Sequence, residues 1–192
     1  MSIFRFALLL LLNAGIAGSA FGQSAKPKYY FKVTNIISED QSIIPTAKEL
    51  LEKEIASRSE FTQDLGGAEG EAAATAEMKR RGLRGFQINL RVMGFKKEEK
   101  PPVPGRVDPQ MMVKVKLGVY GSTYPGGKIS FTGDGEATVT GEYKERRKEA
   151  DVAELIDAAL GAAIKQAVTT AVTKMSTTTL PDSPRKKKAR AR

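Results

Sequence analysis

Two short segments contain residues whose types and spacing are close to those of known ligand-binding or catalytic motifs. The stretch GSTYPGGKIS, residues 121–130, approaches the phosphate-binding loop G-x-x-x-x-G-K-[ST], but Ser122 occupies the first glycine position and Ile129 the position of the magnesium-binding hydroxyl. Asp134 and Glu136 could form a carboxylate pair, although two carboxylates supply too few oxygens for a calcium loop. We therefore predict a β-hairpin at the first segment and a solvated turn at the second.

The chain contains no His and no Cys. It therefore lacks the commonest general base, the commonest metal ligand and any thiolate nucleophile, and it cannot form disulfides. Ser183 and Lys186 match the S-x-x-K spacing of penicillin-binding enzymes, but they lie in a charged, Pro-flanked segment instead of at the start of a rigid helix. These features predict a non-enzymatic protein without cofactor or metal, and an atypical hydrolase is the least favoured alternative.

Lys and Arg remain as residues that could bind a ligand, and they are unevenly distributed along the chain. One of the 31 Lys and Arg residues lies in the N-terminal segment and six lie in the last eight positions, which leaves 24 basic against 22 acidic residues in between. This distribution is typical of an interaction arm on a nearly neutral body. Because the tail has no aromatic residue for base stacking, we expect it to bind anions without sequence specificity, or to be a disordered, solvating end. Its basic residues are Arg185, Lys186, Lys187, Lys188, Arg190 and Arg192.

A second basic cluster lies in the body of the chain, at Lys79, Arg80, Arg81 and Arg84. One interpretation is the exposed end of a short helix that Gly82 terminates, where cations complement the helix dipole. The other is a contact for an anionic polymer.

The N-terminal segment has the pattern of a secretory signal peptide. Arg5 precedes a short apolar run over residues 6–18, and Ala20 and Gly22 are small residues at the −3 and −1 positions of a cleavage site. We predict a signal peptide over residues 1–22, with an uncleaved anchor as the alternative, and no further membrane-spanning segment. An exported chain without Cys is more typical of the bacterial envelope than of eukaryotic secretion, so we expect a periplasmic or extracellular protein.

Hydrophobic periodicity predicts the elements that position these residues. Residues 23–28 form a flexible lead, and a strand begins at Tyr29. A capping box of Thr46 and Glu49 predicts the start of a helix, and a loop over residues 64–76 leads into a short second helix. The apolar stripe predicted for the first helix consists of Ala47, Leu50, Leu51 and Ile55. We expect a single domain over residues 29–175, followed by a linker and the basic tail over 176–192.

The second half of the domain alternates more clearly. Residues 84–95 and 111–122 are predicted strands, and the charged, Pro-rich residues 96–109 are a predicted loop between them. A longer strand follows, interrupted by a bulge or turn at residues 133–135. Apolar residues then recur at three- and four-residue steps to Met175, after a cap by Asp151 and Glu154, which predicts a long C-terminal helix.

Each predicted strand has one apolar and one polar face. A sheet buried on both sides would have continuous apolar strands, so we predict an α+β, two-layer sandwich: a mostly antiparallel sheet with the helices on one face and a long C-terminal helix. The other face is then open, and we expect it to dock an acidic partner or simply to be solvated, because its cations have no neighbouring acids. Its residues are Tyr30, Lys32, Gln87, Asn89, Arg91, Lys114, Lys116 and Tyr120.

This order of elements resembles that of three envelope domains: the curli-secretion channel subunit, the TolB amino-terminal domain and the lipoprotein activators of penicillin-binding proteins. The segment ELLEKEIASRSEF looks like their helix leading into a short strand, and RGLRGFQINLRVMGF looks like their alternating strand after a small helix. The resemblance covers residues 29–175 and implies binding and assembly instead of catalysis. The chain lacks the lipid-anchoring Cys of many members.

Taken together, the sequence predicts an exported, non-enzymatic binding or assembly module of the bacterial envelope. Its partner would be an envelope protein or an anionic polymer, without specific nucleic-acid recognition, and self-association into an oligomer is compatible with this prediction. The alternative is an exported polyanion-binding protein that uses the basic C-terminal tail.

Overall fold

The computed structural model describes residues 26–177, which form one five-stranded sheet and three α-helices. Two short 3-10 turns, Gln41–Ile43 and Glu145–Arg147, precede the first and third helices. In chain order the elements are β1 (Tyr29–Ile37), α1 (Ile44–Ala56), β2 (Phe61–Thr62), α2 (Gly70–Arg81), β3 (Arg84–Lys100), β4 (Gln110–Tyr124), β5 (Ile129–Glu142) and α3 (Lys148–Thr177).

The sheet is mixed and curled, with the strand order β2-β1-β3-β4-β5. β1 runs parallel to both of its neighbours, β2 and β3, whereas β4 runs antiparallel to both β3 and β5. The predicted mostly antiparallel sandwich is therefore wrong, although the α+β class is confirmed. Alternation shows that one side of a strand is buried, but it does not show whether the strand runs parallel or antiparallel to its neighbour. The long connection through α1, β2 and α2 allows β3 to run parallel to β1.

The predicted apolar face of the strands is buried under α1 and α3, and we call it the helix-covered face. Phe31, Phe86 and Phe131 pack there with ring centroids 5.2–6.3 Å apart. Ala47, Leu51 and Ile55 of α1 are fully buried, as its predicted stripe requires. The buried strand residues include Ile88, Leu90, Val113, Val115, Leu117 and Val119, and the buried stripe of α3 includes Ala159, Leu160, Ala163, Ile164, Ala167, Val168, Ala171 and Met175.

α3 lies unusually close to β5 because glycines face it. A Cβ atom on Gly133 or Gly135 would overlap the carbonyl oxygens of Ala167 and Ala163, respectively. The predicted bulge or turn over residues 133–135 is therefore wrong: β5 is continuous there, and its glycines admit the backbone of the helix. With its preceding turn, α3 is long and apolar enough to cross a bilayer, but its apolar stripe packs on the sheet.

Local capping differs from the prediction at both long helices. The side chain of Asp40 accepts a hydrogen bond from the Ser42 N–H (2.9 Å) and so caps the turn that leads into α1, while Thr46 lies inside the helix. Asp151 is likewise inside α3, where it accepts a hydrogen bond from the Lys144 N–H (3.1 Å) and pairs with Arg147. In both cases a 3-10 turn starts the helix earlier than the capping motif indicates.

α2 is longer than predicted and lies on the opposite side of the sheet from α1 and α3. It begins at Gly70 instead of near residue 75, and it ends, as expected, at Gly82, whose φ of +68° is left-handed. Met78 packs against Gly85 on the second face of β3, with its sulfur 2.5 Å from where a Cβ would lie. The prediction that all helices share one face is therefore wrong, since the Ala-rich α2 has too few apolar residues to show an amphipathic stripe.

The charged segment after residue 95 is strand instead of loop. β3 continues to Lys100, and together with the first residues of β4 and the last of β5 it forms a three-stranded arm. Glu98 accepts from Lys96 (3.1 Å) and from Lys100 on one face of the arm. On the other face Glu99 pairs with Lys148 of α3 (2.6 Å). Charge alternation thus stabilises an extended segment that apolar periodicity alone predicts to be a loop.

Candidate binding surface on the open sheet face

The face of the sheet opposite α1 and α3 brings together most of the residues that strand alternation predicts for the uncovered side, and we call it the open face. Strand register places Asn89 opposite Tyr120, and Arg91 opposite Gly118. Gln87 precedes them on β3, and Lys32 of β1 lies opposite it. The juxtaposition predicted from strand alternation is therefore correct for this part of the sheet.

One end of the open face is covered by α2. Tyr30 and Tyr124 lie there with ring centroids 6.1 Å apart, in contact with a small cluster that contains Leu65, Ala74 and Met78. Burial and the neighbouring Tyr124 raise the pKa of Tyr30 above its usual value. Tyr30 is therefore part of a secondary core and is not available to a partner in the way that the sequence predicts.

A groove crosses the middle of the open face. It consists of three neighbouring cavities of about 410, 390 and 410 Å³, and adjoining cavities share lining residues. Ile37 and Ile129 line the first cavity together with Asn89, Arg91 and Tyr120. At its other end the groove passes Met93 and Ser38.

Three exposed apolar side chains line this groove. Ile129 is 69% exposed, Ile37 56% and Met93 45%. By contrast, the nearly buried Ser38 hydroxyl has no hydrogen-bond partner within residues 26–177. Exposed apolar side chains grouped in one groove are typical of a surface that a partner covers.

The charges of the open face are partly paired, contrary to the prediction that its cations lack neighbouring acids. Lys114 pairs with Glu136 of β5 (2.7 Å). The hydrogen bond from Lys114 is the main cause of the lowered pKa of Glu136, and Lys116 lowers it further from a greater distance. Arg91 forms no ion pair within the described residues, although Glu39 lines the same cavity. Among the residues that the structure describes, Arg91 shares this lack of an ion pair with Lys32 and Lys116 of the open face, but it is the one of the three that lines the cavity with Ile37 and Ile129.

The second predicted basic cluster does not form one patch. Arg80 pairs with Glu77 (2.6 Å), and Arg81 donates to the backbone carbonyl of Asp64 (2.8 Å). Arg84 instead lies over the rings of Tyr29 and Phe86, 5.8 and 5.6 Å from their centroids. Those rings belong to the helix-covered side, so the sheet separates Arg84 from the basic end of α2, where Lys79 also lies.

The two chemical motifs of the sequence take ordinary positions in the structure. Residues 125–128 close a hairpin between β4 and β5, as predicted, with the Gly127 N–H donating to the Thr123 carbonyl (2.9 Å). Asp134 and Glu136 project from a regular strand and not from a turn. Within residues 26–177, no group of three or more carboxylates could hold a metal ion. The S-x-x-K match and the basic residues 185–192 lie outside the described residues.

Sequence reasoning missed the apolar lining of the groove because β-bulges create it, one of them at Met93, where the pairing of β3 with β4 shifts between Val92 and Gly94. An extra residue in β1 at Thr34 shifts the register between Val33 and Asn35, which turns Ile37 to the open face. A further bulge, at the start of β5, pairs Ile129 with Ser122 and turns it outward as well. Regular alternation assigns both isoleucines to the buried face, and no residue type in either segment predicts the bulge.

No protein-family model and no curated protein matches this chain. Among the solved structures that match it, the minor lipoprotein from Acinetobacter baumannii shares 6% identity at a TM-score of 0.45, with 78% of this chain and 95% of that one covered. Rare lipoprotein B from Shewanella oneidensis shares 8% identity at a TM-score of 0.43, with 77% and 97% covered. An uncharacterised lipoprotein B from Nitrosomonas europaea shares 14% identity at 0.39, with 79% and 89% covered.

These three neighbours are bacterial lipoproteins by name, and their names state no activity. At TM-scores below 0.5 we transfer no property from them to this chain. None of the three bears the name of the curli-secretion subunit, TolB or a penicillin-binding-protein activator, so that resemblance stays a prediction.

Proposed function

We propose that this chain is an exported, non-enzymatic binding or assembly module of the bacterial envelope that recognises its partner through the open face of its sheet. The N-terminal pattern of Arg5, an apolar run and a small-residue cleavage site supports export. The groove of the open face supports binding, because Arg91 lies there among exposed apolar side chains and forms no ion pair within residues 26–177. This second observation carries the proposal.

Export is tested by the mass of the mature protein. We expect the exported species to begin at or near Gln23, since cleavage after Gly22 suits the signal-peptide pattern. Fractionation followed by intact-mass measurement decides the question. A membrane-bound species that keeps Met1 would show an uncleaved anchor instead.

Partner binding is tested by charge reversal on the open face. The triple variant Arg91→Glu, Lys114→Glu, Lys116→Glu should keep its fold, because exposed substitutions usually change stability little, and should lose its partner from envelope extracts. A variant with the same change of charge on the other side, Lys144→Glu, Arg146→Glu, Lys165→Glu, is the matched control, since these three residues are also exposed. Equal partner recovery by both variants would show that the open face is only solvated.

A second candidate function rests on the basic tail. Six of the last eight residues are basic while the rest of the chain is nearly neutral, which favours sequence-independent contacts with a polyanion. If all six meet phosphates, the logarithm of the affinity for duplex DNA should fall with the logarithm of salt concentration at a slope of about −5. Removal of residues 181–192 should abolish this binding with the melting temperature unchanged, and a large fall in melting temperature would contradict a solvated tail.

A further inference from the structure

Two of these β-bulges, those in β1 and β5, act on the same place in the molecule. Each shifts one strand by one residue, and each moves an isoleucine from the helix-covered face to the open face. The side chains of Ile37 and Ile129 reach one cavity although their strands are separated by β3 and β4. Exposing two large apolar side chains is unfavourable in water, so this arrangement is expected where another molecule covers them.

Polar side chains occupy the floor of the groove between the two isoleucines. Asn89 and Tyr120 face each other across β3 and β4, and Arg91 follows two residues later on β3. The ring of Tyr120 lies over Gly118, with its hydroxyl oxygen 3.0 Å from where a Cβ of residue 118 would lie. Because Gly118 pairs with Arg91, the Tyr120 hydroxyl points along β4 toward Arg91. The order across the groove is therefore apolar, polar with one positive charge, and apolar.

On these grounds we infer that the groove binds an extended peptide segment in which an acidic side chain lies between two apolar ones. Strand pairing places Ile37 directly opposite Arg91, whereas Ile129 lies in the row of Gln87, four residues from Arg91 along β3 and two strands away. An extended chain advances about 3.3 Å per residue and its alternate residues point to the same side, so the first, fifth and seventh residues of such a segment can meet Ile129, Arg91 and Ile37 in turn. Met93, which is 45% exposed, continues the groove beyond Ile37 and adds apolar surface for the same segment. This inference rests on the proposed function and specifies the partner.

The separation of the apolar contacts favours a peptide over an anionic lipid. An acyl chain needs a continuous apolar track, whereas here Asn89, Arg91 and Tyr120 lie between the two isoleucines. Arg91 suits a carboxylate because its guanidinium can donate two parallel hydrogen bonds. Glu39 lines the far side of the Arg91 cavity and would repel an acid placed beyond it, so it limits where the acidic side chain can bind.

The test uses an array of blocked nonapeptides with variable flanking residues and the full mature chain as the probe. One class carries Leu at the second and eighth positions and Asp at the sixth, a second replaces Asp with Asn, and a third replaces both Leu residues with Ser. We expect the first class to retain the protein at least about tenfold better than the second, as one charge-assisted hydrogen bond implies. Equal retention of all three classes, or of none, would overturn the inference.

Four variants assign the binding to the groove. Arg91→Ala should reduce retention of the first class about tenfold, and the double variant Ile37→Ser, Ile129→Ser should reduce it similarly. The controls are Arg146→Ala, which removes an equally exposed arginine elsewhere, and Val107→Ser, which replaces the 92% exposed Val107. The basic tail is present in every variant, so its contribution cancels in the comparison, and loss of binding in the controls would contradict a groove-specific site.

Two further outcomes separate this inference from its alternatives. If vesicles rich in phosphatidylglycerol retain the chain in an Arg91-dependent way and no peptide class does, the ligand is a lipid and the inference is wrong. If charge reversal on the open face abolishes partner recovery while Arg91→Ala leaves peptide retention unchanged, the proposed function stands and only the peptide inference fails.

Discussion

Neighbouring residues of β4 meet opposite environments. Leu117 is fully buried beneath α3, whereas Lys116, one residue away, is exposed on the open face. On the helix-covered face α3 is in direct contact with the glycines of β5, and the cavity of about 600 Å³ on this side lies at the start of α3, next to Met111. The open face has α2 at one end, an ion-paired arm at the other and a groove between them. Stability and recognition are thus expected to depend on different residues of the same strands.

Gly135→Val should have the largest effect, because the helix backbone occupies the space that the new side chain needs. We expect a loss of about 3 kcal/mol or more in the free energy of unfolding, or failure to fold. Urea denaturation followed by circular dichroism measures it. The control is Asp134→Val on the open side of the same strand, and equal stability of the two variants would contradict the close packing of α3.

Leu117→Ala tests the buried side of β4. It should lower the free energy of unfolding by about 3 kcal/mol, since a fully buried leucine is replaced by a cavity that α3 cannot readily fill. Lys116→Ala, one residue away and exposed, should change the midpoint of urea unfolding very little. If Lys116→Ala lowered the free energy of unfolding as much as Leu117→Ala, stability and recognition would not depend on different faces of the sheet.

Met78→Ala tests the part of the open face that α2 covers. We expect a loss of about 2 kcal/mol, because Met78 is buried but belongs to a small cluster that can partly collapse. Hydrogen exchange should show faster opening of α2 than of α3. Met93→Ala, on the same face but 45% exposed, is the control and should leave both measurements unchanged.

The smallest effect concerns the Lys114–Glu136 pair. Because Lys114 lowers the folded-state pKa of Glu136, the pair stabilises the fold above the unfolded-state pKa, and that contribution is lost as pH falls through the folded-state pKa. Carbon NMR titration should place the Glu136 pKa below the usual glutamate value, and Lys114→Gln should raise it. A Glu136 pKa unaffected by Lys114→Gln, with Lys165→Gln as control, would mean that the pair does not persist in solution.

Much of the fold follows from regular patterns, and the exceptions have identifiable causes. The alternation of β3 and β4, the stripe of α1, and Gly82 as the end of α2 are all confirmed. The start of α2 was misplaced because its alanines have high helix propensity but no apolar period. For residues 96–100 the hydropathy pattern predicts a loop, because it does not detect charges that pair with one another in an extended segment.

The candidate site was predictable only in part. Alternation placed Asn89, Arg91 and Tyr120 on one face without any tertiary information. It could not place Ile37 or Ile129, because each depends on a bulge that only pairing with the neighbouring strand defines. It also assigned Tyr30 to solvent, whereas α2 covers it.

By itself, the sequence determined the N-terminal export pattern, the absence of His and Cys, the concentration of charge in the last eight residues and the apolar face of each regular strand. Only the tertiary structure decided that β1 is parallel to β3, that α2 crosses to the second face and that two isoleucines meet beside Arg91. The physical reason is the separation in sequence of the residues that determine each feature. Composition and alternation are local properties of the chain, whereas strand direction, bulges and the sharing of a cavity depend on contacts between residues far apart in sequence.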